Sequence, residues 1–258
     1  WLGETLEEIA REKAGIIAAR TPSIYGDSPV PKIIKQTALQ MESDLHVLNR
    51  DFSLSNNFDS SEWRGKDRVI SSIIIPSDWA DGEYCDLAIA LMAIEILGSE
   101  LLPNTKELNN LLNNFSVSGR FEIIEKKQTW ILDVAHNQHA AENLRQRLES
   151  LNPNKKITAI LSMMQDKDVV EFVKVLDDLV ARWIVCEMDT PRSHSVQALE
   201  KKLTDYGIAN VTAESGVLGA LSNIENRTKK NDTILVTGSF EIVGPAKKWL
   251  DSEQFSYE

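Results

Sequence analysis

The second half of the chain alternates short apolar runs with longer segments in which apolar residues recur at helical spacing. The apolar runs predict strands at Trp130–Asp133, Ile157–Leu161, Trp183–Cys186, Val211–Ala213 and Thr233–Val236. The segments between and after them predict helices at Ala140–Leu151, Val169–Leu179, Val196–Leu203, Val217–Asn226 and Val243–Leu250. Regular alternation of strands and helices favours a mostly parallel sheet with right-handed crossovers. We therefore predict an α/β, Rossmann-like domain over residues 117–258.

The first portion mixes helical and extended patterns less regularly. Helices are predicted at Thr5–Ala14, from Pro31 onward, at Asp86–Leu97 and at Thr105–Leu112. Strands are predicted at Ser23–Tyr25, His46–Leu48 and Val69–Ile75. The segment Asn56–Lys66 is polar and turn-rich, which indicates a connection rather than a strand. These patterns predict a separate α/β unit over residues 1–116, with the boundary near residues 114–118.

The charge, hydropathy and cysteine content limit the kinds of partner and the location that we expect. The formal net charge of −11 disfavours binding to nucleic acid or to anionic membrane surfaces. The longest apolar segment, Leu87–Leu97, is too short to span a bilayer and carries Glu95. The two cysteines show no disulfide or metal-binding spacing, so we expect a cytoplasmic protein.

A polar cluster follows the predicted strand Trp130–Asp133, where Asp133, His136 and Asn137 come just before a helix. Open α/β sheets bind their ligands at the carboxyl ends of the strands. A single histidine at a helix start is more often satisfied by the local backbone, but its two polar neighbours favour a binding site here.

Two common phosphate-binding motifs are absent from the sequence. It contains no Gly-x-x-x-x-Gly-Lys-Ser/Thr loop and no Gly-x-Gly-x-x-Gly fingerprint. The chain by itself therefore gives no grounds for a self-sufficient nucleotide hydrolase or a dinucleotide-dependent dehydrogenase.

Several motifs occur in one order along the chain. They are Leu2-Gly3-Glu4-Thr5-Leu6, Ile9-Ala10-Arg11-Glu12-Lys13-Ala14-Gly15-Ile16, Gly119-Arg120-Phe121-Glu122, Leu132-Asp133-Val134-Ala135-His136-Asn137, Met164-Gln165-Asp166-Lys167-Asp168, Pro191-Arg192 and Val236-Thr237-Gly238-Ser239-Phe240. In this order they resemble the bacterial bifunctional dihydrofolate synthases/folylpolyglutamate synthases of the Mur ligase superfamily.

The resemblance implies a domain arrangement. Such ligases carry a P-loop ATPase domain followed by a Rossmann-like domain, with ATP bound between them. Residues 1–116 resemble the end of the ATPase domain and residues 117–258 resemble the second domain. Because the chain begins at Trp1 without the P-loop, we expect it to be part of a longer protein, to bind ATP weakly alone and to lack activity alone.

The resemblance also implies the chemistry. A folate-type carboxylate attacks the γ-phosphate of ATP, and the amino group of L-glutamate displaces phosphate from the resulting acyl phosphate. The implied cofactors are ATP and Mg²⁺, the implied substrates are dihydropteroate, folates and L-glutamate, and the implied state is a monomer.

The resemblance assigns roles to individual residues. Lys13 corresponds to a catalytic lysine that is carbamylated and binds magnesium, although a surface cation at a helix end would look the same. Arg120 corresponds to an arginine that reaches ATP, with a solvent-facing charge as the alternative. Asp133 corresponds to a ribose contact and His136 to a phosphate contact and catalytic residue. Asn137 is grouped with the nucleotide-binding residues.

Asp86 departs from the resemblance. Family members usually carry an asparagine at this position, which both donates to and accepts from an adenine edge, whereas an ionised aspartate only accepts. We therefore keep two interpretations of Asp86, a nucleotide contact and a helix N-cap.

The sequence is also compatible with two alternative functions. One is a different Mur-type ligase, such as those that add amino acids to cell-wall precursors. The other is a noncatalytic Rossmann-type binding module left by truncation.

Overall fold

The computed structural model describes residues 5–57, 60–151, 157–230 and 232–252. The chain divides into two compact units, Trp1–Phe115 and Ser116–Glu258. The motif residues Leu2, Gly3 and Glu4 lie outside the described residues. No described helix is both long enough and apolar enough to cross a membrane.

The first unit contains short sheets and amphipathic helices. Its helices are α1 (Leu6–Ala14), α2 (Lys32–Gln40), α3 (Asp81–Leu97) and α4 (Thr105–Asn113), with a 3-10 turn at Ser99–Leu101. Its strands are β1 (Ser23–Tyr25), β2 (Leu45–Val47), β3 (Ser53–Asn57), β4 (Ser60–Arg64) and β5 (Val69–Ile73). Strands β1 and β2 pair in parallel, and β3, β4 and β5 form an antiparallel sheet.

Helix α1 begins where its sequence predicts. The Thr5 hydroxyl accepts the Glu8 N–H at 3.3 Å, and the Glu8 carboxylate accepts the Thr5 N–H at 3.0 Å, which together satisfy two free donors of the first turn. Ala10 and Ala14 are buried, together with Ile34 and Ala38 of α2. The small side chains let the two helices pack closely.

Two predictions for the first unit are wrong. The segment Asn56–Lys66 contains β4, because Trp63 is fully buried in the core and offsets the strand's polar composition. Helix α3 begins at Asp81 with Ala80 as its N-cap, so Asp86 lies inside the helix and is not a cap.

The second unit is built on one six-stranded sheet. Its strands are β6 (Glu122–Glu125), β7 (Thr129–Asp133), β8 (Ile157–Leu161), β9 (Val180–Cys186), β10 (Val211–Glu214) and β11 (Thr233–Thr237). Its helices are α5 (Gln138–Leu151), α6 (Val169–Leu176), α7 (Val196–Asp205), α8 (Val217–Arg227) and α9 (Phe240–Ser252). The strand order is β10-β9-β8-β11-β7-β6, and only the edge strand β6 is antiparallel. The predicted mostly parallel α/β sheet is thus confirmed.

Both faces of this sheet are covered by apolar side chains. One face carries Trp183 and Phe172, and the other carries Trp130 and Leu221. Every residue of β11 is buried, as expected for a central strand with helices on both sides. The rigid centre of the sheet therefore fixes the loops at the carboxyl ends of β7 and β11.

Candidate functional site

The candidate site lies where the neighbouring strands β7 and β11 end. Asp133, the last residue of β7, pairs in register with Thr237, the last residue of β11. The Thr237 hydroxyl donates to the Ala135 carbonyl at 3.4 Å. Gly238 follows with a φ of +113°, and a Cβ there would lie 2.2 Å from the Ser162 carbonyl oxygen. Only glycine allows the chain to turn so close to the end of β8.

Asp133 connects the loop before β6 with the segment after β7 through backbone hydrogen bonds. Its Oδ2 accepts the Phe121 N–H at 2.8 Å and its Oδ1 accepts the Ala135 N–H at 2.8 Å. Burial raises the pKa of Asp133, although these two donors and the positive charges of Arg120 and Arg147 oppose the increase. The carboxylate therefore fixes the loop before β6 against the end of β7.

That loop has an unusual backbone. Gly119 has a φ of +72° and Phe121 a φ of +48°. For a residue with a Cβ, the left-handed conformation costs about 1–2 kcal/mol, so surrounding contacts must hold it. Phe121 is buried, and the Arg147 guanidinium lies 4.1 Å from the centre of its ring.

Glu122 fixes the same loop from its other end. Its carboxylate accepts hydrogen bonds from the Gly119 N–H at 2.9 Å and the Ser118 hydroxyl at 3.1 Å, and it forms an ion pair with Lys247 of α9. Burial alone would raise the pKa of Glu122, but the three donors hold it below its ordinary value. The carboxylates of Asp133 and Glu122 therefore fix the backbone on either side of Arg120.

His136 has a defined ring orientation. Its Nδ1 lies 2.9 Å from the Val134 carbonyl oxygen. Because a carbonyl only accepts, Nδ1 carries the proton, and Nε2 of the neutral ring is an acceptor. The ring can therefore donate to a phosphate oxygen only as an imidazolium. No group in the described part of the chain hydrogen-bonds to Nε2.

Asn137 and Arg120 complete the group. The Asn137 side-chain oxygen accepts the Ala140 N–H at 2.8 Å and so begins α5. Arg120 is exposed, and its guanidinium carbon lies 5.7 Å from the centre of the Phe240 ring. The sheet thus brings Arg120, Asp133, His136 and Asn137 together at one edge, as the strand-end argument expects.

The loops that follow β8 and β9 lie along the same edge of the sheet. The Gln165 N–H donates to the Arg192 carbonyl at 2.9 Å, and the Gln165 amide donates to the Ser193 carbonyl at 2.7 Å. Arg192 also forms an ion pair with Asp166 at 3.2 Å. The motifs around Asp166 and Arg192 are therefore joined by direct hydrogen bonds.

Lys13 and Asp86 belong to the first unit. Lys13 is exposed in the last turn of α1, and Asp86 is exposed on α3. The described residues contain no cluster of three or more histidine, cysteine, aspartate or glutamate side chains that could hold a metal ion. Lys13 in carbamylated form would supply oxygen donors suited to Mg²⁺.

Comparison with known proteins identifies the second unit. The sequence model of the family described as Mur ligase, glutamate ligase domain, matches residues 119–240. The second unit is therefore similar to the glutamate ligase domain of Mur ligases.

Individual relatives extend this Mur ligase similarity across the chain. The chain is 28% identical to the dihydrofolate synthase/folylpolyglutamate synthase of Escherichia coli, over 98% of this chain and 58% of that protein. It is 30% identical to the protein of the same name from Buchnera aphidicola subsp. Schizaphis graminum, over 93% of this chain and 55% of that protein. The chain thus spans less than two thirds of the length of the curated relatives it matches.

Solved structures of similar proteins show the same fold. E. coli FolC in complex with DHPP and ADP aligns with a TM-score of 0.84 and 27% identity, over 98% of this chain and 59% of that chain. The Yersinia pestis bifunctional folylpolyglutamate synthase/dihydrofolate synthase with AMPPNP and manganese aligns with a TM-score of 0.79 and 28% identity, over 97% of this chain and 58% of that chain.

Three features of the candidate site are visible only in the structure. They are the left-handed conformation of Phe121, the Arg147 guanidinium over its ring and the Phe240 ring beside Arg120. The sequence motifs contain Phe121 and Phe240 but do not predict these contacts. In the sequence, only Gly119 and Gly238 indicate an unusual backbone here, because a glycine beside a strand end often marks a positive φ.

Proposed function

We propose that this chain is part of an ATP-dependent ligase that joins L-glutamate to dihydropteroate and to folylpolyglutamates through an acyl phosphate. The observation that carries the proposal is the group formed by Arg120, Asp133 and His136 at the end of β7. The names of the relatives support the substrate class, and the ADP and AMPPNP of the similar structures support the nucleotide.

The geometry supports the roles that the resemblance implies. The exposed Arg120 guanidinium offers planar donors that suit phosphate oxygens. His136 would present Nε2 to the same oxygens as an imidazolium, since Nδ1 is committed to Val134. Asp133 retains free lone pairs beside its two backbone donors, and these could accept ribose hydroxyl hydrogens.

Lys13, Asn137 and Asp86 complete the proposed set of functional residues. Lys13, when carbamylated, would help hold Mg²⁺, which when bound spreads the negative charge of the triphosphate. The Asn137 Nδ2 is available to a nucleotide because only its oxygen caps α5. Asp86 lies within α3 and would act, if at all, as an acceptor toward adenine.

The proposed setting is a cytoplasmic monomer that acts on small molecules and does not bind nucleic acid or membranes. The acidic net charge and the two free cysteines support this setting, as does the family resemblance.

Titration of the 258-residue chain with ADP tests the nucleotide site. We expect weak binding in calorimetry, and Arg120→Ala should weaken it about tenfold or more because a charge-assisted hydrogen bond is lost. Arg182→Ala is the matched control, since Arg182 is an exposed arginine on β9. Equal affinities for wild type and Arg120→Ala would contradict the assignment.

Turnover assays test the ligase itself. The 258-residue chain with ATP, Mg²⁺, L-glutamate and dihydropteroate should give no product, because its sequence lacks a phosphate-binding loop. The native protein that contains the chain should be active and should lose activity on Lys13→Ala. Activity with nucleotide-linked muropeptides instead of folates would identify a different Mur-type ligase.

If the chain is instead a noncatalytic binding module, we expect different results. A native protein no longer than this chain, with ADP binding and no turnover, would favour that alternative over the ligase.

A further inference from the structure

The backbone around Arg120 is fixed without any ligand. The Arg120 N–H donates to the Val117 carbonyl at 3.0 Å, and the Val134 N–H donates to the Gly119 carbonyl at 3.0 Å. Together with the Asp133 bond to Phe121, these contacts leave the Cα of Arg120 little freedom. The direction in which the side chain leaves the loop is therefore set by the fold.

The guanidinium of Arg120 lies over the ring of Phe240. The two groups lie 5.7 Å apart, within the distance at which a cation is attracted to an aromatic face. No carboxylate among the described residues forms an ion pair with Arg120. Its hydrogen-bond donors consequently remain available to a ligand while the ring restricts their position.

The backbone at Phe240 is fixed by its neighbours, although the residue is exposed. It follows the turn at Gly238, where a Cβ would contact the end of β8. It opens α9, whose first turn is closed by the Glu241 N–H donating to the Ser239 hydroxyl at 3.2 Å. Phe240 is 62% exposed and contributes little to the core, so packing alone does not account for an aromatic residue here.

We propose that Phe240 is a positioning residue that holds the Arg120 guanidinium, before nucleotide arrives, in the orientation in which it meets the phosphates. This inference rests on the proposed function for the role of Arg120. It adds a residue that acts through Arg120 and does not contact the nucleotide. Holding a long side chain in place before binding reduces the entropy that binding would otherwise lose.

Nuclear magnetic resonance of the nucleotide-free chain tests the contact directly. The Arg120 side-chain resonances should be shifted by the ring current of Phe240, and Phe240→Leu should remove the shift. Phe240→Tyr should keep it, because the ring is retained. Arg120 resonances that are identical in wild type and Phe240→Leu would overturn the proposal.

Tyr206→Leu is the matched control for this measurement. Tyr206 is 61% exposed, and its ring lies 5.1 Å from the Lys174 ammonium. The variant therefore removes an equally exposed cation–aromatic contact elsewhere in the same unit, and the Arg120 resonances should stay unchanged.

A double-mutant cycle on ADP affinity tests the positioning role. Phe240→Leu should weaken ADP binding about threefold in the wild-type background, Phe240→Tyr should restore it, and Phe240→Leu should have no further effect in the Arg120→Ala background. A further loss in that background would show direct contact with the nucleotide and would overturn the positioning role. If wild type does not bind ADP, the proposed function fails, while the resonance shift still decides whether Phe240 holds Arg120.

Discussion

The Asp133 carboxylate accepts backbone hydrogen bonds from two separate segments. Its replacement should therefore destabilise the folded chain even when no ligand is bound. In Asp133→Asn the side chain has one oxygen, and one of the two N–H groups would face an amide donor instead. We expect a loss of about 1–3 kcal/mol in the free energy of unfolding and faster amide exchange at Phe121 or Ala135.

Hydrogen exchange on the nucleotide-free chain measures this effect. Asp166→Asn is the control, because Asp166 is an exposed carboxylate in the same unit that pairs with Arg192 and Lys167. It should cost at most about 1 kcal/mol. Unchanged exchange at both Phe121 and Ala135 in Asp133→Asn would argue against the structural role of the carboxylate.

The two cysteines should differ in reactivity. Cys186 is completely buried on β9, and burial raises its pKa to about 12. Cys85 is only partly buried, and burial together with the nearby Asp86 raises its pKa as well. The thiolate is the reactive form, so Cys186 should resist alkylation in the native chain at about pH 8.

Mass spectrometry after iodoacetamide treatment checks this prediction. Slow modification should be confined to Cys85, and both cysteines should be modified after unfolding in urea. Rapid native labelling of Cys186 would contradict the burial of β9.

At the scale of single residues, the sequence predicts chemistry better than conformation. Asp133 and His136 could be predicted because polar residues at a strand end have few structural reasons to be there. The left-handed Phe121 could not, because no local pattern encodes a positive φ for phenylalanine. The Phe240 contact depends on the pairing of β7 with β11, which are separated by about a hundred residues.

Among the secondary structure elements, β6 and α9 are joined by the ion pair between Glu122 and Lys247. Burial opposes ionisation of Glu122, but its hydrogen bonds hold the pKa below the ordinary value of 4.5. A lowered pKa in the folded state adds stability above the unfolded-state pKa, and this stability is lost as the pH falls through the folded-state value.

Glu122→Gln should therefore lower the free energy of unfolding by about 1–3 kcal/mol near neutral pH. The difference from wild type should stay constant above about pH 5.5 and shrink below the ordinary pKa of the carboxyl. Urea unfolding followed by circular dichroism across this pH range measures it. A difference that grows as the pH falls would contradict the stabilising role of the ionised carboxylate.

The elements that the sequence predicts well are those buried on both sides. Strands such as β8 and β11 are continuous apolar runs, so their bounds could be predicted within a residue. The sequence does not predict strands β3, β4 and β6 because they are rich in polar residues, and their assignment depends on partner strands. Helix α3 begins earlier than predicted because its first turn is polar.

At the scale of the whole molecule, the second unit should fold on its own. The buried clusters of residues 116–258 are formed by that segment's own side chains on both faces of its sheet. We expect the isolated segment to unfold cooperatively on heating, as a domain of this size with its own core should.

Circular dichroism melting and a dispersed nuclear magnetic resonance spectrum would demonstrate such folding. The complete 258-residue chain serves as the reference for both measurements. A segment that shows no cooperative transition would mean that the second unit depends on the first for its stability.

The position of β11 has a consequence for synthesis on the ribosome. Of the described strands of the second unit, β11 is the last in the chain, yet it lies between β8 and β7. Until Thr237 has left the exit tunnel, the strands already made can form only two incomplete sheets, β8-β9-β10 and β6-β7, each with an unprotected apolar edge. A premature stop codon before Thr233 would leave these edges open, and we expect the product to aggregate or be degraded.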